Sequence, residues 1–525
     1  MMAGTAPLKT SFRQSMANLH TWTGLLPGWL LFIIFLFGTV AFFQQEISGW
    51  MRPELPTGPT SSAALKKAER HLAARAPDAA SWNISLPSLR GGDPLMLSWE
   101  PREGGGGKAG KMTLDPAEGR EVRLRDTMGG WFLYRFHFDL RYIPWWIARP
   151  LVSIAALAML VAILSGIVIH KKIFADFFLL RFGKGQRSWL DAHNVTAVLA
   201  LPFHLMITYT GLVTLLFTLM PWAISANFPN EDAFYKAAYP AGPTLEPSGK
   251  AMPLLPLRQL VDEAERTWGD AKPSFISIAN PGDANALVGL YAGPAKLGSY
   301  RPPLWLNGAT GTQVQPLPVA GGAFVTQRTM IELHAGRFSG PVLRWLYFLS
   351  GAGGTMMVAS GLVLWTVKRR AKLPDPAQPH FGFRLVERLN IGVIAGAPAG
   401  IAVYFLANRL LPLDMANRAD WEINSLFIAW GAVFVWTLAR PVKRAWFEAL
   451  AVCAALYALV PVVNALTTTR GLIPSLFARD WVFVGFDGAM LAMAAACAFT
   501  AWKVATHKAQ ALPRRKARVV AEAAL

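Results

Sequence analysis

The stretch NLHTWTGLLPGWLLFIIFLFGTVAFF, residues 18–43, contains no charged side chain and is long enough to cross the hydrocarbon core of a membrane. A related stretch, DAHNVTAVLALPFHLMITYTGLV, occupies residues 191–213. In each stretch a histidine precedes a glycine by the same 18 positions (38 − 20 = 211 − 193 = 18): His20 and Gly38, then His193 and Gly211. This repeat predicts a duplicated membrane helix that carries a histidine near its start.

His137 and His334 form a second matched pair, because each precedes a later apolar segment, which ends in SGIVIHKK in one case and in SGLVLWTVKRR in the other. An imidazole within a membrane is costly unless it binds a ligand or lines a polar path. A single histidine at a helix end can also cap carbonyl groups or lie at the lipid interface. Two matched pairs instead favour bound metal, and haem iron is the prediction that follows.

The composition is that of a polytopic membrane protein. The 525 residues are 53% hydrophobic and only 16% charged, and the mean hydropathy is +0.31. Eight apolar runs are predicted to span the membrane: 20–44, 146–170, 192–220, 342–367, 388–408, 423–440, 445–466 and 481–502. The net charge of +19 does not call for a nucleic-acid partner, since Lys and Arg collect in the cytoplasmic loops of membrane proteins.

Basic residues set the expected orientation. They follow the second, fourth and sixth spans and fill the tail, so they share one side of the membrane if both termini lie there. The positive-inside rule makes that side the cytoplasm. The two long connections, at about 45–142 and 221–335, are then expected on the outer face.

Both long connections begin with a helical stretch and continue with short strand-like pieces, separated by turn residues such as DPAEG and NGATG. That order is typical of a small α+β module. The predicted fold is a polytopic α-helical membrane protein with two outer α+β modules and a duplicated helix–module–helix core. The predicted divisions are 11–44 (helix), 45–142 (module), 143–170 (helix), 171–190 (basic cytoplasmic loop), 191–220 (helix), 221–335 (module), 336–370 (helix), 371–387 (linker), 388–504 (four-helix bundle) and 505–525 (basic tail).

Four motifs occur in order: LHTWTGL in the first helix, SWLDAHN before the third, LHAGRFSG before the fourth, and SGLVLW with basic residues after it. Over residues 11–370 the chain resembles the PepSY-associated transmembrane helix family, and its outer modules are similar to PepSY domains. The resemblance implies a multi-pass protein of the bacterial inner membrane with a role in iron acquisition. It also implies b-type haem, because the family includes haem-containing ferric-siderophore reductases. The last four spans lie outside the resemblance.

The histidine positions suggest how two haems could be held. His20 and His193 lie at the predicted cytoplasmic ends of their helices, whereas His137 and His334 lie at the outer ends. The two histidines of one repeat are a membrane thickness apart, so ligation has to run between repeats. A pseudo-twofold axis along the membrane normal would pair His20 with His193 and His137 with His334, and each pair could hold one haem b. Electrons could then cross from one face to the other.

Several other residues are candidates for the same site. His204 and His170 have no counterpart in the other repeat, and either could replace a ligand, bind another haem or act as a relay. On a straight helix His204 would lie on nearly the same face as His193 and about 16 Å deeper. Asp191 could orient a ligand imidazole, with a helix N-cap as the simpler interpretation. Three basic residues are candidate partners for haem propionates: Arg13, Arg135 and Arg337.

Other features limit the mechanism. The only cysteines, Cys453 and Cys497, lie within predicted spans, and no CxxCH motif for covalent haem is present. There is no Walker sequence and no dinucleotide fingerprint, so electrons have to come from a membrane quinol or a separate cytoplasmic reductase. Asp487 lies in the last span, and the sequence leaves both proton transfer and a structural hydrogen bond open for it.

The sequence therefore predicts an oxidoreductase: a haem-containing electron conduit that reduces an Fe(III)-siderophore, or another ferric chelate, on the outer face. No catalytic residue is assigned. One alternative is a non-redox siderophore or iron permease, whose histidines serve as metal or proton sites. Another is a scaffold whose outer modules dock a second protein. The expected partners are the lipid bilayer, the ferric chelate and the electron donor, with no nucleic acid.

Overall fold

The computed structural model describes residues 11–56, 60–87, 90, 92–104, 107–170, 180–181, 183–238, 242–269, 271–294 and 296–507. Part of the predicted basic loop at 171–190, and the predicted basic tail from residue 508 onward, lie outside the described residues.

The first half of the duplicated core runs from a bent helix pair, through three strands, to a long helix. Its elements are α1 (Phe12–Leu25), α2 (Gly28–Ala41), α3 (Gln44–Trp50), α4 (Ser62–Arg75), β1 (Ala79–Ser85), β2 (Leu95–Pro101), β3 (Gly110–Leu114), α5 (Gly129–Asp139) and α6 (Trp145–Ile169). The second half repeats this order with extra short helices. Its elements are α7 (Gln186–Leu199), α8 (Leu201–Thr214), α9 (Leu216–Leu219), α10 (Trp222–Asn227), α11 (Glu231–Ala238), α12 (Leu257–Trp268), β4 (Pro273–Ala279), β5 (Leu287–Ala292), β6 (Leu304–Asn307), α13 (Gly322–Ala335) and α14 (Pro341–Arg370).

The remaining helices form the C-terminal bundle: α15 (Phe381–Ile394), α16 (Gly396–Leu410), α17 (Arg418–Leu438), α18 (Val442–Thr467), α19 (Leu472–Phe477) and α20 (Trp481–Thr506). The bundle begins earlier than the predicted residue 388, because His380 caps α15 by accepting a hydrogen bond from the backbone N–H of Phe383 at 3.3 Å. The second part of the predicted linker is therefore helical.

Six helices are long and apolar enough to cross a membrane, and the number rises to eight if each of two bent pairs counts as one span. The bent pairs are α1 with α2, at 62°, and α7 with α8, at 69°. Pro27 precedes α2 and Pro202 lies in the first turn of α8, where a missing N–H interrupts the helical hydrogen bonds. The larger count corresponds to the eight predicted spans.

The strands of both halves join into one antiparallel sheet, with the order β3-β2-β1-β4-β5-β6. The central pair is β1 with β4, where Ile84 lies opposite Ile276 and both are fully buried. These strands pack with the apolar faces of α4 and α12 around one hydrophobic core. The two predicted modules thus share a sheet. It lies at one end of the long helices, called here the sheet end, because its strands belong to the segments that connect α2 to α6 and α8 to α14.

The C-terminal bundle is joined to the core by a buried polar network. The indole N–H of Trp50 donates to Asp487 at 3.0 Å, and the side-chain amide of Asn464 donates to the other carboxylate oxygen, also at 3.0 Å. Arg409 donates to the Trp50 carbonyl at 2.6 Å. Asp487 therefore has the hydrogen-bonding role that was one of its two sequence interpretations. Between α18 and α20 the sulfur atoms of Cys453 and Cys497 are 3.6 Å apart, and both cysteines are free thiols.

Candidate functional site

Two histidines face each other at the sheet end and are called here the sheet-end pair. His137, on α5, and His334, on α13, have ring centroids 6.0 Å apart and ring planes inclined by 30°. Nδ1 of His137 lies 2.6 Å from the carbonyl oxygen of Ile34, and Nδ1 of His334 lies 3.0 Å from that of Ile207. Because a carbonyl oxygen can only accept, each Nδ1 carries the hydrogen. Each Nε2 then keeps its lone pair for another ligand.

A second pair, the distal pair, has the same construction toward the other end of the helices. His20, on α1, and His193, on α7, have ring centroids 6.1 Å apart and ring planes inclined by 74°. Nδ1 of His20 lies 2.8 Å from the carbonyl oxygen of Ala162, and Nδ1 of His193 lies 2.9 Å from that of Met357. The structure thus brings together the two histidines of each predicted pair, one from each half of the duplication.

The rings of the sheet-end pair lie directly against glycines. A Cβ atom at Gly38 would be 2.6 Å from Cε1 of His137, and one at Gly211 would be 2.9 Å from Cε1 of His334. Both distances are too short for a side chain at either glycine without movement of the ring. The glycines that recur 18 positions after His20 and His193 therefore make room for the histidines of the other pair.

The distal pair uses glycines in the same way. A Cβ atom at Gly166 would be 3.2 Å from Cε1 of His20, and one at Gly361 would be 3.1 Å from Cε1 of His193. In all four cases the glycine follows the contacted carbonyl by four positions (166 − 162 = 361 − 357 = 38 − 34 = 211 − 207 = 4). One turn of helix thus supplies both the hydrogen-bond acceptor and the space for the ring.

The spacing of both pairs fits two axial ligands of one haem. With metal–nitrogen distances of about 2.0 Å, and about 1.1 Å from nitrogen to ring centre, two imidazoles on opposite sides of one metal ion have centroids roughly 6 Å apart. Two neutral imidazoles are also an ordinary donor set for haem iron. Among the described residues, no group of three or more His, Cys, Asp or Glu side chains could hold a metal ion by itself.

A cavity of about 990 Å³ extends from the sheet-end pair to the underside of the sheet. His137 and His334 line one end, among apolar residues of the long helices such as Val152 and Met159. The opposite end is lined by residues at the ends of β1 and β4: Leu86, Pro87, Lys272, Pro273 and Ser274. The cavity thus has an apolar part beside the imidazoles and a polar part beneath the junction of the two halves.

Basic side chains dominate the charged lining of this cavity. Arg149 lies near the start of α6, and six more basic residues complete the set: Arg90, Arg258, Lys272, Lys296, Arg301 and Arg337. Among the described residues, Glu265 is the one acidic residue that lines the same cavity. Sequence reasoning identified only Arg337 of this group. Arg149 could have been identified as a candidate from the sequence, because it lies at the start of an apolar span, where a cation needs a partner.

The other candidate propionate partners have different surroundings. Arg13 donates from Nε to the carbonyl oxygen of Ile169 at 2.9 Å, near the distal pair. Arg135 forms an ion pair with Asp139, whose carboxylate also accepts from Arg149 at 2.8 Å. Arg135 is therefore already paired with Asp139, and it does not line the cavity.

His204 does not lie on an extension of the His193 helix face. That expectation is wrong because α7 ends at Leu199 and α8 leaves it at 69°. His204 is 1% exposed and its Nε2 lies 3.2 Å from the carbonyl oxygen of Ser350. Its ring meets Phe35 edge-on, with centroids 6.1 Å apart.

His170 and Asp191 have local polar partners. His170 follows the last residue of α6, and its Nε2 lies 3.2 Å from Nδ2 of Asn194. Both carboxylate oxygens of Asp191 accept from the Arg181 guanidinium at 2.8 Å. The N-cap interpretation of Asp191 is wrong, because α7 already begins at Gln186.

Comparison with known proteins finds a family that most of this chain resembles. Residues 17–368 match the family model described as the PepSY-associated TM region. The uncharacterized protein PA4219 of Pseudomonas aeruginosa (strain PAO1) is 26% identical over 359 residues, an alignment that covers 62% of this chain and 85% of that protein. The family match includes both histidine pairs and ends before α15. Since it spans more than half of the sequence, the chain belongs to the PepSY-associated TM region family.

Proposed function

We propose that the chain is a two-haem electron conduit of the bacterial inner membrane, which reduces a ferric siderophore or another ferric chelate at the sheet end for iron acquisition. The observation that carries the proposal is the matched construction of the two histidine pairs. In each pair, two imidazoles from different halves face each other with Nδ1 bound to a backbone carbonyl. An arrangement built only for helix packing would not need a free Nε2 on both facing rings.

The residues around the two histidine pairs would each have a defined role in the conduit. When bound, haem would supply a one-electron couple at each pair. The carbonyl groups of Ala162, Met357, Ile34 and Ile207 fix the tautomer and the direction of each ring. The apolar residues around the sheet-end pair exclude water, while the basic residues of the cavity balance negative charge near it. Each Fe(III) takes one electron to become Fe(II), so a quinol that is oxidised to quinone would supply electrons for two iron ions and release two protons.

The direction of electron flow follows from the proposed orientation. The last turn of α14 carries three basic residues at the end of the helix away from the sheet: Lys368, Arg369 and Arg370. The positive-inside rule assigns that end to the cytoplasm and the sheet end to the periplasm. The distal pair would then receive electrons on the cytoplasmic side, from quinol or a separate reductase, and the sheet-end pair would face the chelate.

Absorption spectroscopy of the full-length protein tests the proposal. We expect detergent-purified protein, produced with ample haem, to show the sharp reduced α-band of six-coordinate b haem at two haems per chain. Replacement of His137 or His20 by alanine should each remove one haem and leave the other. Folded protein that stays colourless would exclude the conduit. Uptake of an iron chelate into sealed vesicles without an electron donor would instead favour the permease.

A further inference from the structure

We propose that the distal site holds its haem through two hydrogen-bond donors to the haem propionates, the imidazole N–H of His170 and the indole N–H of Trp365. This inference rests on the proposed function, and it adds the residues that orient the distal haem. Nδ1 of His170 and Nε1 of Trp365 are both buried, and neither has a hydrogen-bond partner among the described residues. A buried polar group without a partner is unfavourable, so each nitrogen needs one from outside the chain.

The duplication relates the two nitrogens to each other and to the distal pair. His170 follows Gly166 by four positions at the end of α6, and Trp365 follows Gly361 by four positions on α14 (170 − 166 = 365 − 361 = 4). The backbone N–H of His170 donates to the Gly166 carbonyl at 3.2 Å, so the helical turn extends to it. Each side chain therefore lies one turn, about 5.4 Å, beyond the glycine that lies against a ring of the distal pair.

A contact with the opposite half places His170 beside the distal pair. Its Nε2 lies 3.2 Å from Nδ2 of Asn194, which directly follows His193 on α7. Because the amide NH2 group can only donate, Nε2 accepts and Nδ1 carries the hydrogen. The indole nitrogen of Trp365 is always a donor. Both unpaired nitrogens are therefore donors, and each needs an acceptor such as a carboxylate oxygen.

A guanidinium group accompanies each donor. Arg13 donates from Nε to the carbonyl oxygen of Ile169, the neighbour of His170, at 2.9 Å. The guanidinium carbon of Arg369 lies 4.1 Å from the centroid of the Trp365 ring. Positive charge beside both donors favours an anionic acceptor over a neutral one such as a quinone. A haem carries two carboxylates on one edge, so two donors related by the duplication can each receive one of them.

The matched positions carry this inference, because a single unpaired indole is not sufficient evidence. Nε1 of Trp268 is also buried without a partner among the described residues. Trp268 lies on α12, in the hydrophobic core that this helix forms with the sheet. It is thus at the opposite end of the long helices from the distal pair. Trp268→Phe therefore removes the same kind of N–H away from the distal site.

The test compares Trp365→Phe and His170→Phe with Trp268→Phe in the full-length, haem-loaded protein. Phenylalanine keeps an aromatic ring at each position and removes the N–H. Spectroelectrochemical titration measures the two reduction potentials, and resonance Raman spectroscopy follows the propionate bending band. The potential that persists in His137→Ala protein, which should keep only the distal haem, identifies the distal one.

We expect each distal variant to lower the potential of the distal haem, because a propionate without its donor stabilises the oxidised state more strongly. The equilibrium should shift toward the oxidised form by about threefold, which is roughly 28 mV at 59 mV per tenfold for one electron. The propionate band should move to lower frequency. The other haem should not change, and Trp268→Phe should match the wild type.

Unchanged potentials and an unchanged propionate band in both distal variants would overturn the inference and leave the conduit standing. A slower reduction by quinol at unchanged potentials and band would also overturn it, and would assign the two donors to a quinol. If one distal variant does not retain its haem, the other provides the same test. Wild-type protein that folds without haem would instead overturn the proposed function, and this inference with it.

Discussion

His137 and His334 come from different halves of the chain, yet their ring centroids lie 6.0 Å apart and each Nδ1 contacts a backbone carbonyl. The carbonyl and the glycine beneath each ring come from a helix that does not carry that histidine. The helix backbone therefore determines the position of the imidazoles, which makes the glycines the most direct place to test the site.

Gly38→Ala should disturb the sheet-end pair. The added methyl group would lie 2.6 Å from Cε1 of His137, so the ring has to move away from its carbonyl partner. Overpacking of this kind costs about 1–3 kcal/mol of the free energy of unfolding. We expect a lower Tm and the loss of up to one haem per chain, measured by thermal unfolding and by haem quantification.

Gly353→Ala is the matched control, because apart from the backbone of its own helix nothing lies within 4 Å of a Cβ at that position. It should keep both the Tm and the haem content of the wild type. If Gly38→Ala behaves like this control, the close packing of His137 on Gly38 is not required.

The junction of β1 and β4 can be tested by a cross-link. Asn83 lies opposite Ser277 in the antiparallel pair, where Cα atoms are about 4.5–5.5 Å apart and a disulfide can form. Asn83→Cys with Ser277→Cys should therefore give a linked peptide after oxidation, detected by mass spectrometry of the digest.

Ser98→Cys with Ser277→Cys provides the control for that cross-link. Ser98 pairs with Asn83 from the other side, so it lies two strands from Ser277, at about 9.5 Å. A disulfide cannot bridge that distance without backbone movement. Linkage at equal yield in both double variants would contradict the joined sheet.

The sequence identified the long helices better than the connections between them. The helix predicted at 143–170 is observed as α6, Trp145–Ile169, because bilayer thickness alone sets the length of an apolar run. The bends near Pro27 and Pro202 were missed, since hydropathy does not respond to a break in the helical hydrogen bonds. The pairing of β1 with β4 has no local signal, because alternation predicts a strand and not its neighbour.

Within the histidine site, too, the sequence predicted positions better than contacts between different helices. Matched positions were enough to pair His20 with His193, because the duplication relates them. The role of Gly38 could not be read from its distance to His20, since the ring that it contacts belongs to His137 on another helix. His204 was misplaced because a single bend invalidates any argument from helical periodicity.

Glu422→Ala should strongly destabilise the C-terminal bundle. Glu422 and Arg418 form an ion pair four residues apart in α17, and both side chains are 0% exposed. Removal of one partner leaves an uncompensated buried charge, which costs about 3–5 kcal/mol. The measurement is thermal unfolding in detergent, with the free energy of unfolding expected to fall by that amount.

Arg444 and Glu448 offer the exposed counterpart, an ion pair of the same spacing in which the Arg444 side chain is 63% exposed. Arg444→Ala should change the free energy of unfolding by less than about 1 kcal/mol. Similar losses for the two variants would show that burial does not set the strength of the pair at Glu422.

Asp283 should make the sheet sensitive to acid. The backbone N–H of Asn285, together with the hydroxyl and N–H of Ser248 and the N–H of Gly249, lowers the pKa of Asp283 from 3.8 to about 2. A lowered pKa means that the carboxylate stabilises the fold fully above about pH 4, and that this contribution is lost as the pH falls through 2.

Asp283→Asn should therefore increase hydrogen exchange at residues 246–286 relative to the wild type at pH 5, and the difference should shrink toward pH 2. Exchange is measured by mass spectrometry at matched intrinsic rates. A difference that is constant with pH would show that the carboxylate charge does not contribute.

The division of each histidine pair between the two halves has a consequence for the origin of the chain. A single half contains one imidazole of each pair and three strands of the sheet, so alone it would have two incomplete sites and an unpaired strand edge at β1 or β4. Two copies of such a half would complete both sites and the sheet at once by association around a twofold axis. Fusion of two copies into one chain would make that association permanent and free the halves to diverge. His204 of the second half can therefore correspond to Leu31 of the first (204 − 31 = 193 − 20 = 173) without a matching histidine.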